Sequence, residues 1–176
     1  FPVEWREIVH RAENGERHIA DVKTSDHRVI EFQHSPLPMA ERDAREAFYK
    51  SMIWVIDGRA RKRDADSFNK TVRIISRDPM VFSVLEMKCA LFRDWSGRPV
   101  DVFLDFHGEV LWHLHPSRQE RVMLTPVLVT EFIDTLHKGR PFKRIPTEPE
   151  DPPAPVAPTS APTVPWRPLG RRQFRL

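Results

Sequence analysis

At 176 residues the chain is long enough for one domain, or for one small domain with an appendage. Hydrophobic residues make up 40% and charged residues 30%, which suits a folded globule, and the net charge of +3 permits a nucleic-acid partner without demanding one. A single cysteine, Cys89, excludes an intrachain disulfide and a cysteine-based zinc knuckle. With no apolar run near the ~20 residues of a membrane span and no export signal, the expectation is a cytoplasmic protein without membrane association.

In chain order, residues 5–11 read as a first strand, followed by a hairpin turn at Glu13-Asn14-Gly15-Glu16. Residues 17–23 and 28–33 alternate well enough to be two further strands, joined by the turn-formers Thr24-Ser25-Asp26-His27. Ser35-Pro36-Leu37-Pro38 breaks the chain, residues 39–51 read as a helix, and residues 52–56 are a short apolar run that suits a buried strand. The basic run at Arg59, Arg61, Lys62 and Arg63 reads as a solvated loop, with DNA-backbone contact as the other reading.

Residues 72–75 and 81–92 are mixed apolar segments, and residues 101–106 and 109–114 form a predicted hairpin around His107-Gly108. Thr125 is a predicted N-cap with Pro126 at the first helical position, and that helix runs to about His137, with Gly139 past its end. Nine prolines between Pro146 and Pro168 predict an extended, polyproline-like tail; it ends in two aromatics amid four arginines, either a solvated end or a peptide that docks on a protein partner. The expected organisation is residues 1–58 as a core, 59–143 as an appended β-rich part with a C-terminal helix, and 144–176 as the tail.

A turn centred on Asp26 puts Asp21 directly opposite Glu31 and Ile19 opposite Gln33. Opposed side chains have Cβ atoms ~4.5–5.5 Å apart, so the two carboxylates repel unless a positive group lies between them. A divalent cation answers that need, because hard cations prefer carboxylate oxygens. The apolar flanks Ile19, Val22, Ile30 and Phe32 argue for a half-buried hairpin, where an unpaired charge is costly. Lys23 shares the strand face of Asp21, and Lys50 is a second nearby cation. On the following helix, Arg42, Arg45 and Tyr49 are three or four residues apart and so share a face on which DNA phosphates and a sugar can rest. His18 and His34 bracket the site, each with a structural reading beside a substrate-contacting one. Ser35 reads as a cap before Pro36, and Trp54 as core. His113-x-His115 puts two imidazoles on one strand face, a weak metal pair without a third ligand nearby.

The segments His18-Ile19-Ala20-Asp21-Val22, Ile30-Glu31-Phe32-Gln33-His34-Ser35, Arg45-Glu46-Ala47-Phe48-Tyr49 and Met52-Ile53-Trp54-Val55-Ile56-Asp57-Gly58, in this order, resemble the CoiA-like competence proteins of the PD-(D/E)XK nuclease superfamily. The resemblance covers roughly residues 1–58. It implies an α+β fold with a β-β-β-α-β nuclease-like core and a further helix ahead of the first strand.

It also implies a metal-dependent nuclease that hydrolyses DNA, in DNA uptake, recombination or defence, with Mg²⁺ or Mn²⁺ as cofactor. Asp21, Glu31 and the Phe32 carbonyl would bind the metal. Gln33 would take the position usually held by Lys, orienting the attacking water without carrying charge, and Glu7 would support the site from the side. Arg45-Glu46-x-x-Tyr49 resembles the polar-and-Tyr arrangement that related nucleases carry on this helix, with Glu46 holding an arginine or assisting a second metal. The alternative is a catalytically inactive module of the same fold that binds DNA or scaffolds a protein complex.

Overall fold

The computed structural model describes residues 1–11, 15, 17–86 and 89–145. The turn expected at 13–16 falls largely outside the described residues, as does the Pro-rich segment 146–176. The chain divides into two compact units, 1–145 and 146–176, with Arg144 and Ile145 still bound into the first.

The fold is mixed α+β. After a 3₁₀ turn at Val3–Trp5 come β1 (Arg6–Arg11), β2 (Arg17–Lys23), β3 (Val29–Gln33), α1 (Met39–Phe48) and β4 (Met52–Asp57). Then follow α2 (Lys62–Thr71), β5 (Arg73–Arg77), β6 (Met80–Leu85), α3 (Ala90–Trp95), β7 (Asp101–Asp105), β8 (Val110–Arg118), β9 (Arg121–Leu128) and α4 (Val129–His137). All described strands join one nine-stranded sheet in the order β1-β2-β3-β4-β7-β8-β9-β6-β5. β1, β2 and β3 are antiparallel, whereas β3, β4 and β7 run parallel. Parallel neighbours need crossovers, and α1 supplies the first while the stretch from α2 to α3 supplies the second.

Parallel strands are covered on both faces and read as continuous apolar runs. β4 fits: Met52 to Ile56 are all buried. One core cluster gathers Val29, Tyr49, Trp54, Ile56, Phe68, Phe92 and Leu104; the other gathers Ile30, Ile53, Val55, Phe103, Phe132 and Leu136 beneath α4.

Three expected elements change. The helix expected from Thr125 begins only at Val129, and Pro126 lies within β9 opposite Trp112. Proline is tolerated there because β6 pairs with β9 only between Arg121 and Leu124, so the missing N–H faces an edge without a partner strand. The basic run expected as a loop opens α2, whose only buried residues are Asp64 and Phe68, one turn apart. Residues 81–92 divide into the end of β6 and the start of α3. The helix expected over 39–51 ends at Phe48, where Tyr49 turns extended (φ −94°, ψ 106°).

Candidate functional site

β2 and β3 pair through Lys23↔Val29 and Val22↔Ile30, a register that carries Asp21 to the level of Glu31. Asp21 does not stay in a regular ladder. Alternation should place residues 20 and 22 on one face, yet Ala20 packs in the cluster of Tyr49 and Val22 in that of Ile30. The strand therefore kinks at Asp21, and Glu7, between the flanking pairs Arg6↔Val22 and Ile8↔Ala20, has φ +53°. The Asp21 carboxylate turns toward β3 and accepts the Phe32 N–H at 2.7 Å. A strand residue points its N–H and C=O to the same neighbour, so the Phe32 carbonyl also faces this gap.

Glu31 is buried, with 4% exposure. Its Oε2 accepts from Arg45 Nη1 at 2.9 Å, while its Oε1 is buried with no hydrogen bond. Burial, then the Asp21 charge, push the Glu31 carboxyl up to about 7, against the opposing pull of Arg45. Tyr49 faces the same carboxylate; burial and the Glu31 charge raise its hydroxyl well above the usual phenol range, and that hydroxyl reaches no hydrogen-bonding geometry. Arg45 Nε and His10 Nε2 are likewise buried and unbonded. His10 lies edge-on to Tyr49 at 5.2 Å between ring centroids, and burial together with Lys23 lowers its pKa. Glu31 thus stands among buried polar atoms lacking partners, each costing about 1–3 kcal/mol unless something fills the gap.

The other expected residues separate. His18 packs on Phe48 at 4.5 Å, beside Tyr49. Gln33 donates from Nε2 to the Ser35 carbonyl at 2.5 Å and to Ser35 Oγ at 3.2 Å. His34 is exposed and pairs with Asp57 at 3.6 Å, away from Glu31's partners.

Arg42 does share the helical face of Arg45 and Tyr49, but that face looks inward. Arg42 is buried, donates to the Asp94 carbonyl and lies 4.9 Å over the Trp95 ring, so the DNA-contact expectation for it is replaced by a tie between α1 and α3. Glu46 holds Arg98 at 2.6 and 2.9 Å and the Trp54 indole N–H at 2.9 Å. Its partner is therefore an arginine of the α3–β7 connection, and no oxygen is left for a second metal. Arg98 also bonds Asp43.

Sequence reasoning missed His10. The Asn14-Gly15 turn held the signal, since a hairpin closed there sets His10 opposite His18 and Glu7 opposite Asp21. It also missed Asp64, because the charged residues around it resemble a solvated loop.

Among the described residues no group of three or more His, Cys, Asp or Glu side chains is arranged to hold a metal. The expected set is a different kind: two carboxylates and a main-chain carbonyl, with water completing the shell, as Mg²⁺ usually keeps several waters. An orphaned carboxylate oxygen, a second carboxylate that raises its pKa and a carbonyl facing the same gap fit a hard divalent cation. His113 and His115 are committed elsewhere, His113 Nε2 to Asp101 at 3.1 Å and His115 Nε2 to Thr125 at 2.8 Å. No helix among the described residues is long and apolar enough to cross a membrane. The comparisons with known proteins return no matching family model, no matching curated protein and no matching solved structure.

Proposed function

We propose that this chain is a metal-dependent nuclease that hydrolyses DNA phosphodiester bonds, of the CoiA-like kind within the PD-(D/E)XK superfamily. One observation carries the reading: the buried, unbonded Glu31 Oε1 beside the Asp21 carboxylate. Two acids crowded together without enough positive charge form a destabilised pair that a cation relieves. The β-β-β-α-β order, with β4 returning parallel to β3, supports the superfamily reading.

Asp21 and Glu31 would hold Mg²⁺ or Mn²⁺ with the Phe32 carbonyl. A divalent ion there supplies an activated water and offsets charge on the phosphate. Arg45 steadies Glu31 and leaves one oxygen open. Gln33, fixed by Ser35, presents its side-chain carbonyl on the same strand face as Glu31. Cleavage of plasmid DNA with Mn²⁺ should fall by about 10²–10³-fold or more in Asp21→Ala and in Glu31→Ala. Undiminished cleavage in both variants refutes the assignment.

A second reading, a DNA-binding module without catalysis, is favoured by the Arg45–Glu31 ion pair, which already places a cation on the acid. Calorimetry separates the two: DNA binding without Mn²⁺ binding selects the module.

A further inference from the structure

The α2 helix carries a second carboxylate with a spare oxygen. Phe68 anchors the helix by stacking on Phe106 at 4.5 Å, which turns Asp64, one turn earlier, toward the sheet. Its side chain is 8% exposed. Oδ1 accepts from the Cys89 thiol at 3.5 Å. Oδ2 makes no hydrogen bond, and the Arg61 guanidinium stays 3.9 Å from it.

Asp64 lines a cavity of about 20 Å³ shared with Gln33, Ile56, Asp57, Arg61 and Trp95. A space of that size with several polar neighbours holds one water. Gln33 has its Nε2 committed to Ser35, so Oε1 is the hydrogen-bonding atom it has left. A water between Gln33 Oε1 and Asp64 Oδ2 meets two acceptors; it gives one O–H to each and keeps a lone pair for an electrophile.

We propose that Asp64 is the general base of the hydrolysis, supplying the charge that Gln33 lacks. The inference rests on the nuclease reading above. As the water oxygen bonds to phosphorus, its proton passes to Asp64 Oδ2. The bond from phosphorus to the leaving sugar oxygen breaks with its electron pair, and that oxygen takes a proton from solvent. Asp64 then returns its proton to solvent, leaving a phosphate monoester and a hydroxyl.

The test compares wild type, Asp64→Asn, Asp64→Glu and Glu31→Gln on plasmid DNA with Mn²⁺, alongside Mn²⁺ calorimetry. General-base removal costs typically 10²–10⁴-fold, so kcat of Asp64→Asn should fall by about that factor. KM and Mn²⁺ affinity should stay at wild-type values, and the rise of kcat with pH should disappear. Asp64→Glu, which keeps a carboxylate, should restore that rise.

For the unmutated protein, kcat should fall in D₂O, a readout that needs no variant to fold. A wild-type kcat indifferent to D₂O, or an Asp64→Asn protein with wild-type kcat and pH profile, overturns the role of Asp64 alone. A wild-type protein that binds Mn²⁺ but cleaves nothing, or Glu31→Gln cleaving as wild type does, overturns the nuclease reading and Asp64 with it.

Discussion

Glu31 and Asp101 are both strand carboxylates set among aromatic side chains, yet their surroundings treat them oppositely. Asp101 sits on β7, where His113 donates to it at 3.1 Å and Arg144 at 2.7 and 3.1 Å. Burial alone would raise its pKa; the His113 bond and the Arg144 charge outweigh that and hold it below the usual carboxylate range. Around it His113 stacks on Phe103 at 4.4 Å, and His115, pushed down to about 3 by burial and by His113, accepts the Ile145 N–H as a neutral ring. Glu31 has one cationic partner, an acidic neighbour and an oxygen with nothing to bond. The first cluster satisfies its charges internally and acts as a clasp. The second is short of positive charge, which is the signature of a place that gains by binding something.

The sharpest way to break this contrast is the pH dependence of stability. A carboxyl raised from 4.5 to about 7 on folding binds a proton in the native state that the unfolded chain has released. Its contribution is fully present below about pH 4.5 and is lost as pH rises through about 7. The loss amounts to about 3 kcal/mol. Urea midpoints of wild type should fall over that window, those of Glu31→Gln should stay level, and millimolar Mn²⁺ should return the lost stability at pH 8. A wild-type curve parallel to Glu31→Gln refutes the charge deficit.

Asp101 should behave in the opposite sense. Its contribution is present above its unfolded pKa and disappears as pH falls through its depressed folded value. Asp101→Ala, which strands His113 and Arg144, should cost about 1–3 kcal/mol at neutral pH while leaving Mn²⁺ affinity at the wild-type value. A lower Mn²⁺ affinity in that variant would join the two clusters into one site. The smallest effect belongs to Arg42→Met, which keeps packing over Trp95 and gives up the bond to Asp94. It should lower stability by about 1 kcal/mol and leave both DNA affinity and its salt dependence unmoved. A flatter salt slope would return Arg42 to the DNA surface.

The first four strands were legible because their physics is local. Apolar alternation and the turn at Thr24-Ser25-Asp26-His27 set Asp21 level with Glu31, and the run Met52 to Ile56 announced a covered strand. What escaped depends on distant neighbours. Thr125-Pro126 has the chemistry of a helix start, and only the place where β6 leaves β9 makes it strand instead. α2 buries two residues against the sheet, too few for a visible period, although one of them is Asp64. Arg42, Arg45 and Tyr49 share a face as their spacing required, but whether it meets solvent or core depends on α3, some fifty residues away.

The side-by-side pairing of β4 and β7 has a consequence for handling this protein. These strands are adjacent in space but separated by 43 intervening residues, from Gly58 to Val100. Any fragment cut shortly after Gly58 would leave Met52-Ile53-Trp54-Val55-Ile56 as a bare, greasy rim with open amides, a template for intermolecular stacking. During synthesis the same rim waits on the ribosome until Asp101 to Asp105 emerge, so nascent chains stalled in that interval should be the ones most readily captured by chaperones.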